Sequence, residues 1–210
     1  MVHNSNNPDH YDRAIRVLKD GGCVILPTET VYGLAVLAKN SQAIERIYAL
    51  KKRVLAKPPS VAICTTEIMG ALAQPSNLAD HLIQKFWPGP LTLVLPARKP
   101  APVSSHCIGP NGTIGVRHPD TAWARYFAKT GFSQPLVLTS ANIAGQASPV
   151  NTDMIAQSIR ANADFIIDEG PTTKQCESTI LAINHERLTL VRIGALDPED
   201  LASFPIDFSV

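Results

Sequence analysis

Short apolar runs rich in β-branched residues recur along the chain, each closed by proline or glycine, and the stretches between them repeat their apolar residues at helical spacing. This alternation restricts the fold more than any other feature. Residues 23–26 (CVIL), 60–64 (SVAIC), 91–96 (LTLVLP), 113–117 (TIGVR), 136–139 (LVLT) and 164–168 (DFIID) have the length and composition of buried strands. Helices are predicted after the Asn7-Pro8 start signal, where Tyr11, Ala14, Ile15 and Leu18 trace one face as far as Gly21-Gly22, and after Ser41, a candidate N-cap, through Ile44, Ile47 and Tyr48. Further helical patterning covers 68–72, 78–87, 120–131 and 151–163, the last opening on a capping-type Asn151 or Thr152. STILAI and LTLVRI flank the four-residue NHER, a hairpin signal. Strands alternating with helices and ending in a hairpin give an α/β class with a mixed sheet flanked by helices. One domain over residues 1–210 is expected.

Composition narrows the function classes. With 45% hydrophobic and 18% charged residues in 210, the chain can bury a core without disulfides or metal. No apolar stretch reaches membrane-spanning length, and MVHNSNNPDH has neither the basic start nor the apolar core of a secretory signal, so the cytoplasm is the expected compartment and no membrane partner is expected. Cys23, Cys64, Cys107 and Cys176 are scattered without C-x-x-C spacing, which argues for reduced thiols and against structural zinc. A net charge of +1 is far from that of a dedicated nucleic-acid binder. Any anion is therefore met locally, which favours a small phosphorylated ligand and leaves room for weak RNA contact. Residues 97–112 (ARKPAPVSSHCIGPNG) lack periodicity and are expected to form a mobile surface loop over the sheet edge.

Three polar clusters sit at strand ends, where open α/β sheets place ligands: PTET, GVRHP and TSAN. Each alone reads as a turn or helix cap. Arg117, in a strand-like run, requires a carboxylate or phosphate, and an internal Asp or Glu serves as well as a ligand. His118 reads as a packed or solvent-facing side chain. The segment LKKRVLAKPP crowds four cations at a helix end. Lys51 continues the stripe of Ile44, Ile47 and Tyr48 and should point inwards towards an anion with Arg53 and Lys57, whereas Lys52 should lie in solvent. The chain has no P-loop, Rossmann turn or G-x-S-x-G elbow, and Ser140 lacks a hydrolase pattern around it.

PTETVYGLA, the K-x-R-x-x-x-K of Lys51, Arg53 and Lys57, PGPLTLVLP, GVRHP, TSANIAG and STI occur in one order, from about residue 8 to 194. In this ordered set the chain resembles the YrdC/TsaC family of threonylcarbamoyl-AMP synthases. The resemblance implies a twisted mixed sheet with helices on both sides and a concave basic face. It implies a nucleotidyltransferase that joins L-threonine, bicarbonate and ATP into threonylcarbamoyl-adenylate and pyrophosphate, with magnesium brought in by ATP. Downstream partners would use the product to modify tRNA next to the anticodon. By motif, Lys51, Arg53 and Lys57 would be the catalytic cations, and Arg53, Lys57, Thr113, Asn142, Val150 and Arg192 would bind ATP, Val150 at a position a backbone contact can serve. Thr28, Thr30, Arg117, Ser140 and Ser178 would form the threonine site, with Arg117 meeting the substrate carboxylate. The chemistry fits these residue types, because joining a carbamate to a triphosphate brings anions together and fixed cations are the remedy.

The chain departs from the family pattern at Ala62, where many relatives carry histidine, at Pro59 in place of leucine, and at Ile193 in place of proline. Its length resembles the short bacterial form without a C-terminal domain. Two other readings compete: a non-catalytic YrdC-like RNA-binding module, and a carbamoyl-handling domain like that of the hydrogenase-maturation proteins. Retention of K-x-R and S-x-N opposes the first, and the missing acylphosphatase and zinc-finger segments oppose the second.

Overall fold

A computed structural model describes residues 2–4, 9–54, 57–74, 76–184 and 187–207, the first three as backbone only. The Asn7-Pro8 helix start and the centre of the NHER turn lie outside the described residues. In chain order the elements are β1 (Val2–Asn4), α1 (Asp9–Lys19), β2 (Val24–Leu26), β3 (Gly33–Leu37), α2 (Ser41–Lys51), β4 (Val61–Ala62), α3 (Met69–Leu72), α4 (Asn77–Phe86) and β5 (Leu91–Pro96). They continue with β6 (Thr113–Arg117), α5 (Ala122–Lys129), β7 (Leu136–Ser140), α6 (Gln157–Arg160), β8 (Phe165–Asp168), β9 (Thr179–Asn184), β10 (Arg187–Arg192), α7 (Pro198–Leu201) and β11 (Ile206–Asp207). Among the described residues the eleven strands form one sheet, ordered β1-β8-β2-β3-β7-β4-β6-β5-β9-β10-β11. Parallel pairs such as β2–β8, β4–β6 and β5–β9 and antiparallel pairs such as β3–β7 and β9–β10 make it mixed.

Strand alternation divides the apolar residues between two faces. Val24 and Leu26 of β2, with Ala35 and Leu37 of β3, pack under α1 and α5. Ile25, Leu34 and Val36 face the other way, against Ile44, Ile47 and Tyr48 of α2 and Leu82 of α4. Helices therefore cover both faces. In α2 the cap is Asn40 rather than Ser41: the Asn40 side-chain oxygen accepts the Ala43 N–H at 3.1 Å, and Ser41 opens the helix. The helix closes at Lys52, whose left-handed conformation (φ 50°) lets its N–H return to the last carbonyls.

The elements differ from the sequence reading in four places. GLAVL forms β3, a fully buried strand between β2 and β7 that begins in the last three residues of PTETVYGLA, runs two residues beyond it and was not predicted. SVAIC contributes only Val61 and Ala62 to the sheet. The predicted helix over 151–163 breaks because Ile155 and Ala156 are extended, leaving a single 3₁₀ turn capped by Asn151 and the four residues of α6. The 97–112 segment is fastened to the body: Ser104 N–H bonds to Ala38 O at 2.8 Å, Ala97 bridges to Ala73, and Cys107 is fully buried.

Candidate functional site

The register of the central strands builds the floor of a cavity of about 540 Å³. Gly33 pairs with Ser140, Ala62 pairs with both Leu136 and Arg117, and Arg117 pairs with Thr92, which pairs with Ile180. Paired residues share a face, so Ser140, Leu138, Ala62, Arg117, Thr92 and Ile180 all project to one side. β7 runs antiparallel to β4, and β4 is parallel to β6, so the strand ends carrying Ser140 and Arg117 point in opposite directions. The site therefore lies across a sheet face, and the expectation of converging strand ends is replaced by convergence through register. Gly33, on the floor, lets its strand approach β7 closely: a Cβ there would fall 2.6 Å from Leu138 Cδ1.

One end of the cavity is formed by the C-terminus of α2 and the turn after β7. Lys51 lies on the buried stripe, 3% exposed, and Lys52 is exposed at the rim. The Lys51 ammonium donates to Asn142 O at 2.8 Å, to Asn142 Oδ1 at 2.9 Å and to Ser140 O. Its three protons are thereby matched by three oxygens of the turn. Ser140 Oγ donates to Asn142 Oδ1 at 2.6 Å, Asn142 Nδ2 donates to Gln146 O at 2.6 Å, and Ala144 N–H donates to Lys51 O at 2.8 Å. Burial, reinforced by the charge of Arg53, lowers the Lys51 ammonium to a pKa of about 8. Arg53 donates to Thr139 Oγ1 at 3.2 Å and to the carbonyls of Lys57 (3.1 Å) and Pro58 (3.3 Å), stacking over Tyr48 at 5.4 Å. Lys57 supplies its carbonyl to this loop while its exposed side chain borders the cavity.

The other end is charge-balanced. Arg117 Nη2 pairs with Glu29 Oε1 at 2.7 Å and Nε donates to Gly89 O at 3.2 Å, so of the two partners the sequence allowed, an internal carboxylate is present. Arg192 pairs with Glu177 and donates from Nε (3.1 Å) and Nη2 (2.8 Å) to Ser178 O. Gly194 makes this packing possible, since a Cβ there would fall 2.3 Å from Glu177 O. Ser178 Oγ meets Thr92 Oγ1 at 2.8 Å. The Thr28 hydroxyl folds its own loop, donating to Val31 O at 2.6 Å and accepting the N–H groups of Thr30 and Val31. His118, beside Arg117, is half-buried, and desolvation lowers its pKa.

The structure thus gathers Thr28, Lys51, Arg53, Lys57, Arg117, Ser140, Asn142, Ser178 and Arg192 around one cavity. Thr30, Thr113 and Val150 are not part of its lining. Thr30 is fully buried, its hydroxyl 2.7 Å from that of Thr28. Thr113 shares the sheet face two residues before Gly115, and the Val150 carbonyl accepts the Thr172 N–H at 2.8 Å. Sequence reasoning missed Ser60, Thr92, Glu29 and Glu177. Glu29 stands inside the quoted PTET, and Glu177 directly precedes Ser178; a carboxylate next to a hydroxyl of each motif was the available signal. Among the described residues no three His, Cys, Asp or Glu side chains come together as a metal cage, and Glu177 is the one carboxylate on the cavity wall. Among them, too, no helix is long and apolar enough to cross a membrane.

A family model named for Sua5, YciO and YrdC and described as telomere recombination matches residues 16–194. The Bacillus subtilis threonylcarbamoyl-AMP synthase is 33% identical over 198 residues, covering 94% of this chain and 57% of its own length. A Methanocaldococcus jannaschii relative is 32% identical over 93% of each chain. The crystal structure of Pyrococcus abyssi Sua5 complexed with L-threonine matches with a TM-score of 0.89 and 31% identity, over 99% of this chain and 62% of that one. The chain spans little more than half the length of the Bacillus relative. With most of the chain matched by the family model and relatives above 30% identity along nearly all of it, the protein belongs to the Sua5/YciO/YrdC family.

Proposed function

We propose that the protein is a threonylcarbamoyl-AMP synthase, a nucleotidyltransferase acting on L-threonine, bicarbonate and ATP. The observation that carries this reading is the division of one cavity into a cationic end, with Arg53 and Lys57, and a charge-balanced end, where Arg117 stands among the hydroxyls of Thr28, Thr92 and Ser178. A polyanion suits the first end and an amino acid the second. The activity for which the Bacillus relative is named and the threonine bound to Pyrococcus Sua5 support the same assignment.

In the proposed reaction the carboxylate of threonine carbamate attacks the α-phosphorus of ATP. A new P–O bond forms, the bond to the β-phosphate oxygen breaks, and pyrophosphate leaves with its electron pair. Arg53 and Lys57 hold the phosphates, and the Ser140–Asn142 turn, folded around Lys51, lines the path between the two ends. Arg117, Thr28 and Ser178 hold the threonine, with Thr30 supporting Thr28. Fixed donors of this kind stabilise charge that develops in the transition state without reorganising. Magnesium carried in with ATP would supply further charge neutralisation on the triphosphate; among the described residues the one carboxylate on the cavity wall, Glu177, is engaged by Arg192. Of the other residues assigned to ATP, Arg192 stands at the charge-balanced end and would be met by the nucleotide across the cavity, while Thr113 and Val150 would meet parts of the ligand beyond the cavity lining. The product would feed tRNA modification next to the anticodon through partner proteins in the cytoplasm, with weak direct RNA contact.

Pyrophosphate release from purified protein, with threonine, bicarbonate and ATP omitted in turn, tests the reading. Release that requires all three is expected. Equal release without threonine or without bicarbonate overturns it, and no release under any condition favours a non-catalytic RNA-binding module.

A further inference from the structure

Both side chains of the Arg117–Glu29 pair are only 10% exposed. Glu29 Oε1 takes Nη2 of the guanidinium at 2.7 Å, while Glu29 Oε2 is buried with no donor of its own. Gly89 O takes Nε at 3.2 Å. Nε and Nη2 form one edge of the planar guanidinium, so the protein's own acceptors occupy that edge and leave the Nη1–Nη2 edge of a cavity-lining residue for a ligand. Glu29 cannot readily withdraw. Its carbonyl is held by Lys174 N–H at 2.8 Å and Thr173 Oγ1 at 3.2 Å, and leaving would strand a buried charge on each side. At the opposite end, among the described residues, no carboxylate pairs with Lys52, Arg53 or Lys57. The two ends carry the same kinds of cation in opposite electrostatic settings.

We propose that Glu29 is a positioning and selectivity residue that turns Arg117 from a general anion site into a receptor for a zwitterionic α-amino acid, an inference that rests on the functional reading above. An unbalanced, largely buried guanidinium would favour the most highly charged anion present, which in this reaction is a phosphate of ATP. With Glu29 beside it the subsite has no net charge. An amino-acid carboxylate still meets the free guanidinium edge, and its ammonium group lies in the field of Glu29. A phosphate gains nothing from the balanced pair and is repelled by the carboxylate, so it is confined to the Arg53 end. Discrimination arises as much from this repulsion as from the attraction.

The test is steady-state pyrophosphate release with inorganic phosphate as inhibitor, in the wild type and in Glu29→Gln, which keeps an oxygen for Nη2 and removes the charge. In the wild type phosphate should compete with ATP and not with threonine. In Glu29→Gln phosphate should compete with threonine as well, and the KM for threonine should rise about tenfold while that for ATP stays within about twofold. A merely structural role for Glu29 would lower the melting temperature and move both KM values without changing what phosphate competes against. Wild-type inhibition patterns and an unchanged threonine KM in Glu29→Gln overturn the proposal. Should that variant fail to fold, threonine binding to the wild-type protein, titrated with inorganic phosphate in the absence of ATP, still decides: displacement of threonine overturns the proposal and its absence supports it. A wild type that shows no dependence on threonine overturns the functional reading and this one with it, whereas threonine-dependent turnover beside an unaltered Glu29→Gln overturns this one alone.

Discussion

Lys51 and Lys52 are adjacent and chemically identical, yet one is buried at the end of the α2 stripe and the other caps the helix in solvent. The stripe alone foretold this difference. What it could not foretell is that the turn after β7 consumes every proton of the Lys51 ammonium, so that Lys51 organises Ser140 and Asn142. Lys51→Met keeps the aliphatic stem and leaves those oxygens without their donor. It should lose about 2–4 kcal/mol in kcat/KM for pyrophosphate release, the scale of removing a preorganised electrostatic group, while Lys52→Met stays near wild type. Equal kcat/KM for the two variants would reduce the cation cluster to a solvated helix end. Lys51 also predicts a pH dependence. Its pKa is lowered from 10.5 to about 8, so between those values the native state binds fewer protons than the unfolded chain, and this group's contribution to stability rises with pH. Over the same range the neutral amine has two donors for three oxygens. Activity should fall above a pH of about 8 while the contribution of Lys51 to stability increases there, and Lys51→Met should lack that limb. Parallel rate and melting profiles would show whether the two separate.

The PTET loop depends on a neighbouring helix. Trp123 of α5 is fully buried, packs edge-on to Phe127 at 5.4 Å, and donates its indole N–H to Pro27 O at 2.7 Å, where the loop leaves β2. Trp123→Phe keeps an aromatic ring in the core and deprives that carbonyl of its donor. A loss of about 1–3 kcal/mol in chemical denaturation is expected for the unsatisfied group, together with a raised KM for threonine. A variant as stable as the wild type would show that the loop does not depend on the Trp123 bond. The helices α1, α2, α4 and α5 were legible in the sequence because each carries an apolar stripe that survives in the fold. Strand β3 was not, because it begins inside a motif read for its hydroxyls, and a fully buried run has no polar alternation to mark it. The candidate site was legible as a set of residue types. Its pairing was not: Glu29 meets Arg117 and Thr92 meets Ser178 through loop closure and a register fixed by strands far apart in sequence.

On the scale of the whole molecule, a formal net charge of +1 conceals an uneven distribution within the cavity. Lys52, Arg53 and Lys57 gather at one end, whereas Arg117 and Arg192 at the other are matched by Glu29 and Glu177. Exposed charges are screened over about 8–10 Å at physiological salt, and the screening shortens as salt is added, while a buried pair is shielded much less. The two substrates should therefore respond differently to ionic strength. ATP reaches its site through the field of cations that no described carboxylate neutralises, Lys52 and Lys57 exposed and Arg53 half-buried, so raising salt from about 0.05 M to about 0.5 M should increase its KM several-fold. Threonine carries no net charge and meets a balanced, largely buried pair, so its KM should change by less than about twofold over the same range. Initial rates at fixed magnesium, with each substrate varied against saturation of the other, provide the comparison. Equal salt sensitivity of the two constants would mean that the carboxylates do not neutralise the amino-acid end, and that one diffuse basic field governs the whole cavity.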